Sequence, residues 1–395
     1  MISLEEAKKI ILDNIKEKDS EEVFLYEALN RTLYDDVISP INNPPFPKSP
    51  LDGYALNGEE LEDLIDYKEF EVIDKIFAGM VSKKNVGKGQ CIRIMTGAKI
   101  PNGCNCVVRQ EDTEEKDGVV KIFKKHKAFD NYIYEGEDFK KDDIILKGGT
   151  KLKASEIMAI SSLGIEKVKV YKRPVVGIIN TGDEIQNSGE ALKEGKVYNC
   201  NGPFLASRIN ELNIIAKLND NLLDNEESLK NGIENLEKET DIIISTGGVS
   251  VGEKDIVQKV VKDLGYEILF WKVNIKPGSP LFVGKKGEKL YIGLSGTPVA
   301  SATTFELLCR DALLKMINCT EDMLKEHKGI LLEDFKKKSK KRRFLRVNID
   351  NNDNVTINNI YQSPGQVHTM INSNAILEVK ENETLEAGTK VSVLI

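Results

Sequence analysis

The sequence predicts an α/β multidomain protein. Its parts are a doubly wound α/β domain, a β-rich insert domain, an extended linking domain and a C-terminal β-barrel. Three observations carry that expectation. From Arg173 to about Asn318, short apolar strands alternate with helical patterns, the mark of a sheet with helices on both faces. Between residues 41 and 139, apolar runs such as Cys91–Met95, Cys106–Arg109 and Val119–Phe123 are broken by Gly, Asn and Asp turns. Residues 323–395 lose the helical period again, with strand-like runs at Leu345–Ile349, Asn354–Ile357, Ala375–Val379 and Lys390–Leu394. A chain of 395 residues is also too long for one ordinary core.

The elements follow in order. The first nineteen residues, MISLEEAKKIILDNIKEKD, read as an amphipathic helix with Ser3 and Glu6 as a capping box, not as a signal peptide. Ile38–Pro50 holds five prolines in thirteen residues, which excludes helix or central strand and marks an extended crossing between domains. Residues 1–40 and 140–170 are assigned to the linking domain, with a helix capped by Ser155, stopped at Gly164 and followed by strand Lys167–Tyr171. In residues 171–322, strands are expected at Val175–Ile179, Ile214–Leu218, Ile242–Ser245 and Ile268–Val273. A hairpin-like pair is expected at Pro280–Val283 and Lys289–Gly293. Helices are expected at Pro203–Leu212, Glu226–Glu237, from Glu253, and from Pro298 to about Asn318.

Composition narrows the function. Net charge is −7, which argues against a nucleic-acid binder, and the run Lys338–Arg343 reads as a solvated loop or strand edge. No apolar run is long enough to span a bilayer, so no membrane is implied and the cytoplasm is the expected compartment. Six scattered cysteines, including Cys104 and Cys106, read as reduced structural thiols. Three isolated histidines and the absence of G-x-S-x-G exclude histidine-rich metal sites and a serine-hydrolase elbow. Carboxylates, lysines, hydroxyls and a bound metal are left to do chemistry.

The richest segment is Asp241–Asp255, DIIISTGGVSVGEKD. A strand ends at Ser245 and runs into Gly247, Gly248, Ser250 and Gly252, which presents backbone N–H groups to an anion beyond the strand. The spacing fits neither a P-loop nor a dinucleotide fingerprint. The acidic residues that follow suggest a metal bridging carboxylate and phosphate. Thr181-Gly182-Asp183-Glu184 ends the first strand of the same domain, Asp224 follows the next, and Ser295-Gly296-Thr297-Pro298 forms another strand-to-helix loop. These would converge on one rim. Lys272 and Lys276, four apart in an expected strand, would share a face and meet an oxyanion. Each loop taken singly also reads as an ordinary turn; it is their convergence that points to a site.

The motifs together resemble the molybdopterin molybdenumtransferases, the family of the bacterial MoeA proteins and the gephyrin E domain. The carrying residues are Ser49-Pro50-Leu51-Asp52-Gly53-Tyr54-Ala55, Met95 to Pro101, Gly103 to Val108, Gly136-Glu137-Asp138, Thr181 to Glu184, the glycine block, and Trp271-Lys272 through Lys276-Pro277-Gly278. The resemblance covers essentially the whole chain. It implies a MoaB/MogA-like α/β domain, insertion of molybdate into adenylylated molybdopterin with release of AMP, and an elongated homodimer. The site would lie between the α/β domain of one subunit and the β-rich domain of the other. It further implies Mg²⁺ held by Asp183, Glu184, Asp224 and Asp255, with Asp52, Thr96 and Asp138 brought in by the partner. Lys272 and Lys276 would stabilise oxyanions, and Thr181, Gly182, Ser245, the glycine loop, Ser295, Gly296 and Pro298 would hold the pterin. The upstream adenylyltransferase is a further implied partner. The chain departs from the family pattern at Pro50, Leu51, Ser279, Ser295 and Thr297. Those departures leave open a noncatalytic or tungstate-preferring paralogue.

Overall fold

A six-stranded sheet organises the α/β part of the computed structural model, which describes residues 1–219, 225–249, 256–359 and 362–395. Its spatial order is Ile215–Leu218, Val175–Asn180, Ile242–Thr246, Lys289–Leu294, Phe282–Lys286 and Glu267–Trp271. The first four strands are parallel and the last two pairings antiparallel, so only Phe282–Lys286 runs against the others and the sheet is mixed. Register puts Asn180 opposite Thr246 and Thr246 opposite Leu294, which aligns three carboxyl ends in one row. Strand residues alternate between two apolar layers. Ile178, Ile244 and Ile292 pack on the side of helices Asn201–Glu211 and Pro298–Thr304. Ile179, Ile243 and Tyr291 pack on the side of Glu226–Glu237 and Val257–Asp263. Fully burying each such side chain contributes about 1.5–3 kcal/mol. The helix from Pro298 continues through a π-turn at Phe305–Cys309 into Arg310–Met316.

Helix Leu4–Asp13 starts at Ser3, whose hydroxyl accepts from the Glu6 N–H at 3.1 Å, and buries Leu4, Ala7 and Ile11 in the core of the α/β part. Strand Ser20–Phe24 pairs antiparallel with Lys167–Tyr171, and Val37–Ile38 with Ile144–Leu146, so the two segments of the linking region meet in space. Ser155 does not cap the helix there. Lys153 stands at the cap of Ala154–Ser162, and its N–H is held by Glu156 at 3.0 Å.

The β-rich part is a six-stranded sheet in the order Cys106–Arg109, Gly53–Leu56, Gln90–Ile94, Lys68–Ile76, Val119–Ile122, Thr113–Lys116. The proline-rich segment joins the β-rich part through isolated bridges, Asn43 to Phe139 and Lys48 to Lys99 and Ile133. At the C-terminal end, Arg342–Ile349, Asn354–Ile357, Glu326–Leu331, Lys390–Leu394 and Ala375–Val379 close into a five-stranded barrel. Ile275–Lys276 adds to it alongside Arg342 and Arg343, tying the α/β part to the barrel.

Candidate anion-binding cleft

The aligned strand ends open into a cleft of about 940 Å³. Thr181, Gly182 and Glu184 form one side, Gly247–Val249 the floor, and Ser295–Pro298 the next loop. Two main-chain bonds set the floor: Thr181 N–H donates to Thr246 O at 3.0 Å and Gly247 N–H to Leu294 O at 3.1 Å. Gly247 has φ 94°, and a Cβ there would lie 2.5 Å from Thr181 O and 2.8 Å from its hydroxyl. Only glycine fits this approach. The Ser295 loop is tied down by Asn201 Nδ2 donating to Gly296 O at 2.8 Å, and Ser295 and Thr297 hydroxyls lie 3.1 Å apart. Pro298 fills the first helical position.

Beneath the loops, Asn180 and Thr246 are fully buried, and among the described residues their side-chain polar atoms, like Ser245 Oγ, have no hydrogen-bond partner. Unmet buried polar atoms cost about 1–3 kcal/mol each. They concentrate hydrogen-bonding capacity at the end of the sheet that opens into the cleft.

The fourth wall is Ile275–Pro280. Lys276 is exposed there and carries no ion pair among the described residues. Lys272 is placed differently from the sequence expectation. It has φ 67°, so the strand stops at Trp271 and the two lysines do not share a strand face. Its ammonium lies 3.8 Å from the Trp271 ring centroid, outside the cleft lining, while Trp271 Nε1 donates to Val249 O at 3.4 Å. Among the described residues, Lys272 reaches the glycine loop through Trp271.

Sequence reasoning missed the barrel's contribution. Ser339, Lys340 and Lys341 line the cleft, and Lys341 Nζ donates to Ser279 Oγ at 2.8 Å. The middle of the basic run therefore borders the site, while Lys338 stays exposed and Arg342 begins a barrel strand. No local signal marks it, because the placement depends on Ile275–Lys276 pairing with Arg342–Arg343. With Lys276, Lys340 and Lys341 against Glu184, the described lining favours an anion.

For a metal, the described lining supplies one carboxylate, Glu184, with Asp183 exposed beside it. Among the described residues no three His, Cys, Asp or Glu side chains gather as a ligand set. Mg²⁺ is commonly held by one or two carboxylates plus substrate phosphates and waters, and Glu184 fits that pattern. Asp224, Ser250, Gly252 and Asp255 lie outside the described residues.

Asp52, Thr96 and Asp138 do not line this cleft within one chain. They lie on the β-rich part in two separate hydrogen-bonded pairs, Asp52 with Thr96 and Asp138 with Asn43. Asp52 Oδ1 accepts from Thr96 N–H at 2.7 Å and Thr96 Oγ1 at 2.8 Å, while Asp138 exchanges bonds with Asn43 at 3.0 and 3.1 Å. The Thr96 N–H, then its hydroxyl, hold the Asp52 carboxyl below the usual aspartate range. A depressed pKa means the contact persists above the ordinary value and is lost only as pH falls through the lower, folded one. The Thr96 amide resonance is expected to stay constant on acidification past about pH 3.9 and to move only below it. A midpoint at or above that value contradicts the contact.

The six cysteines form no disulfide; burial pushes Cys91, Cys104 and Cys106 up to about 12, as unreactive thiols. No helix among the described residues is long and apolar enough to cross a membrane.

Known proteins match this chain along its whole length. The family models "MoeA N-terminal region (domain I and II)", "Probable molybdopterin binding domain" and "MoeA C-terminal region (domain IV)" match residues 2–164, 177–315 and 328–395. A molybdopterin molybdenumtransferase of Staphylococcus epidermidis is 36% identical over 351 residues, covering 87% of this chain and 83% of that one. One of Staphylococcus aureus is 35% identical over 347 residues with the same coverage, 87% and 83%. The crystal structure of a molybdopterin biosynthesis MoeA protein from Pyrococcus horikoshii superimposes with a TM-score of 0.85 at 30% identity, covering 100% of both chains. With cleft, glycine loop, four-part architecture and full-length similarity in agreement, the chain belongs to the MoeA family of molybdopterin molybdenumtransferases.

Proposed function

We propose that this transferase of molybdenum cofactor biosynthesis inserts molybdate into adenylylated molybdopterin in the cleft, with Mg²⁺-dependent release of AMP. The observation that carries the reading is the meeting of Lys276, Lys340 and Lys341 with the Gly247–Gly248 turn around a cleft large enough for a pterin nucleotide. Main-chain N–H groups of the Gly247 loop, with Thr181, Gly182, Ser245, Ser295 and Gly296, orient the pterin phosphate. Lys276 and Lys341 stabilise oxyanion charge as the phosphoanhydride breaks and AMP leaves. Mg²⁺ would be held by Glu184 with Asp183, Asp224 and Asp255, and supplies charge neutralisation at the phosphates. Lys272 acts as a positioning residue through Trp271.

Asp52, Thr96 and Asp138 belong to this site in a homodimer, each β-rich part completing the partner's cleft. Their absence from the lining of their own chain's cleft supports that reading. The upstream adenylyltransferase supplies the substrate, and the cytoplasm is the proposed compartment.

AMP release from adenylylated molybdopterin, with Mg²⁺ and with molybdate or tungstate titrated separately, tests the reaction. Oxyanion-dependent release is expected, and the lower half-saturating concentration identifies the preferred oxyanion. Tight pterin binding without oxyanion-dependent AMP release would sink the catalytic reading in favour of a binding paralogue.

A further inference from the structure

A second cavity, of about 510 Å³, lies between the α/β part and the barrel and shares no lining residue with the cleft. Helix Asn201–Glu211 and the helix from Pro298 form one wall; strands of the barrel and the Val367–Met370 turn form the other. Arg346 lines it. This residue stands opposite Ile376 and two positions from Phe344, both of which belong to the apolar core shared with the α/β part. Arg346 is only 3% exposed. Its Nε donates to Thr369 Oγ1 at 3.1 Å, and no carboxylate pairs with it among the described residues.

The side-chain carboxylates that line the cavity are already engaged. Glu306 accepts from Arg208 at 2.6 and 3.2 Å and from Arg310 at 3.5 Å, and Glu211 accepts from Arg208 at 2.7 Å. Burial without an anion pushes the Arg346 guanidinium down to about 10. A buried, uncompensated charge is strongly unfavourable, and an apolar residue of similar volume would ordinarily be more stable there. The cavity therefore combines a cation that wants a partner with an apolar mouth, where Val367 is 46% and Ile371 66% exposed.

We propose that this cavity binds a small organic anion with an oxyanion head on an apolar body. The head pairs with Arg346, bidentate where its geometry allows, and the body lies against Val367, Met370 and Ile371. A carboxylate and a phosphate monoester share this chemistry.

The test uses the full chain and three probes of equal tail length: octanoate, octyl phosphate and octanamide, titrated by calorimetry. Saturable binding of at least one anion is expected, with octanamide at least about tenfold weaker, the worth of one charge-assisted hydrogen bond. The stronger anion identifies the head group. Arg346→Met is expected to fold, to keep octanamide binding and to lose the preference for the anion. Equal affinity of octanamide and both anions for the unaltered chain overturns the proposal, even if the variant does not fold. Anion binding unchanged by Arg346→Met also overturns it. So does the failure of both anions to bind, including the case where sedimentation shows the cavity closed by a second copy of the chain.

Discussion

Gly247→Ala is expected to lower oxyanion-dependent AMP release by about a hundredfold, the scale of a misplacement of roughly 1 Å in a catalytic loop. The reason is steric. The new Cβ would stand 2.5 Å from Thr181 O, at a backbone φ of 94° that non-glycine residues rarely adopt. The loop has to move, and Thr181 is held to the adjacent strand by its N–H bond to Thr246 O at 3.0 Å. Substrate binding and turnover should fall together, because in the proposed site the loop's remaining N–H groups would orient the pterin phosphate in both the bound and the reacting states. Calorimetric pterin affinity and single-turnover AMP release measure the two effects. A variant with wild-type affinity and rate would remove the glycine turn from the site.

Lys276→Met should reduce turnover by about 10²–10³-fold, the usual consequence of deleting one group that stabilises charge in the transition state. Stability should change little, because Lys276 is exposed and makes no ion pair among the described residues. Lys272→Met is the matched comparison. Its ammonium sits over Trp271 at 3.8 Å, outside the cleft lining, so its loss should cost no more than about tenfold. Equal losses from both substitutions would show that the backbone turn at Lys272 does not separate their roles.

These two residues also show how the sequence was legible and where it failed. Helix Glu226–Glu237 and strand Lys390–Leu394 follow from hydrophobic period, because each buries one face, while Cys106–Arg109 and Ala375–Val379 follow as short continuous apolar runs buried on both faces. The convergence of Thr181, Gly247 and Ser295 follows from strand-to-helix loops sharing one end of a parallel array. The four-residue spacing of Lys272 and Lys276 misled, because a left-handed residue resets the face and spacing does not reveal it. Lys340 and Lys341 were hidden for a different reason. Their place in the cleft comes from Ile275–Lys276 joining the barrel, a pairing between segments more than sixty residues apart. Arg346 had a faint signal, a charge where alternation with Phe344 calls for an apolar residue, yet its isolation emerges only when Glu306 is seen engaged by Arg208 and Arg310.

The central claim is that one chain's cleft works with the β-rich part of another. Mixing Glu184→Gln and Asp52→Ala chains under conditions of subunit exchange tests it most directly. Each substitution alone should leave little AMP release. In a 1:1 mixture, half the twofold dimers carry both chain types, and each of these regains one site with every group intact, so about a quarter of the unaltered protein's activity should return. Activity no greater than the average of the two separate variants would contradict a site shared across the dimer.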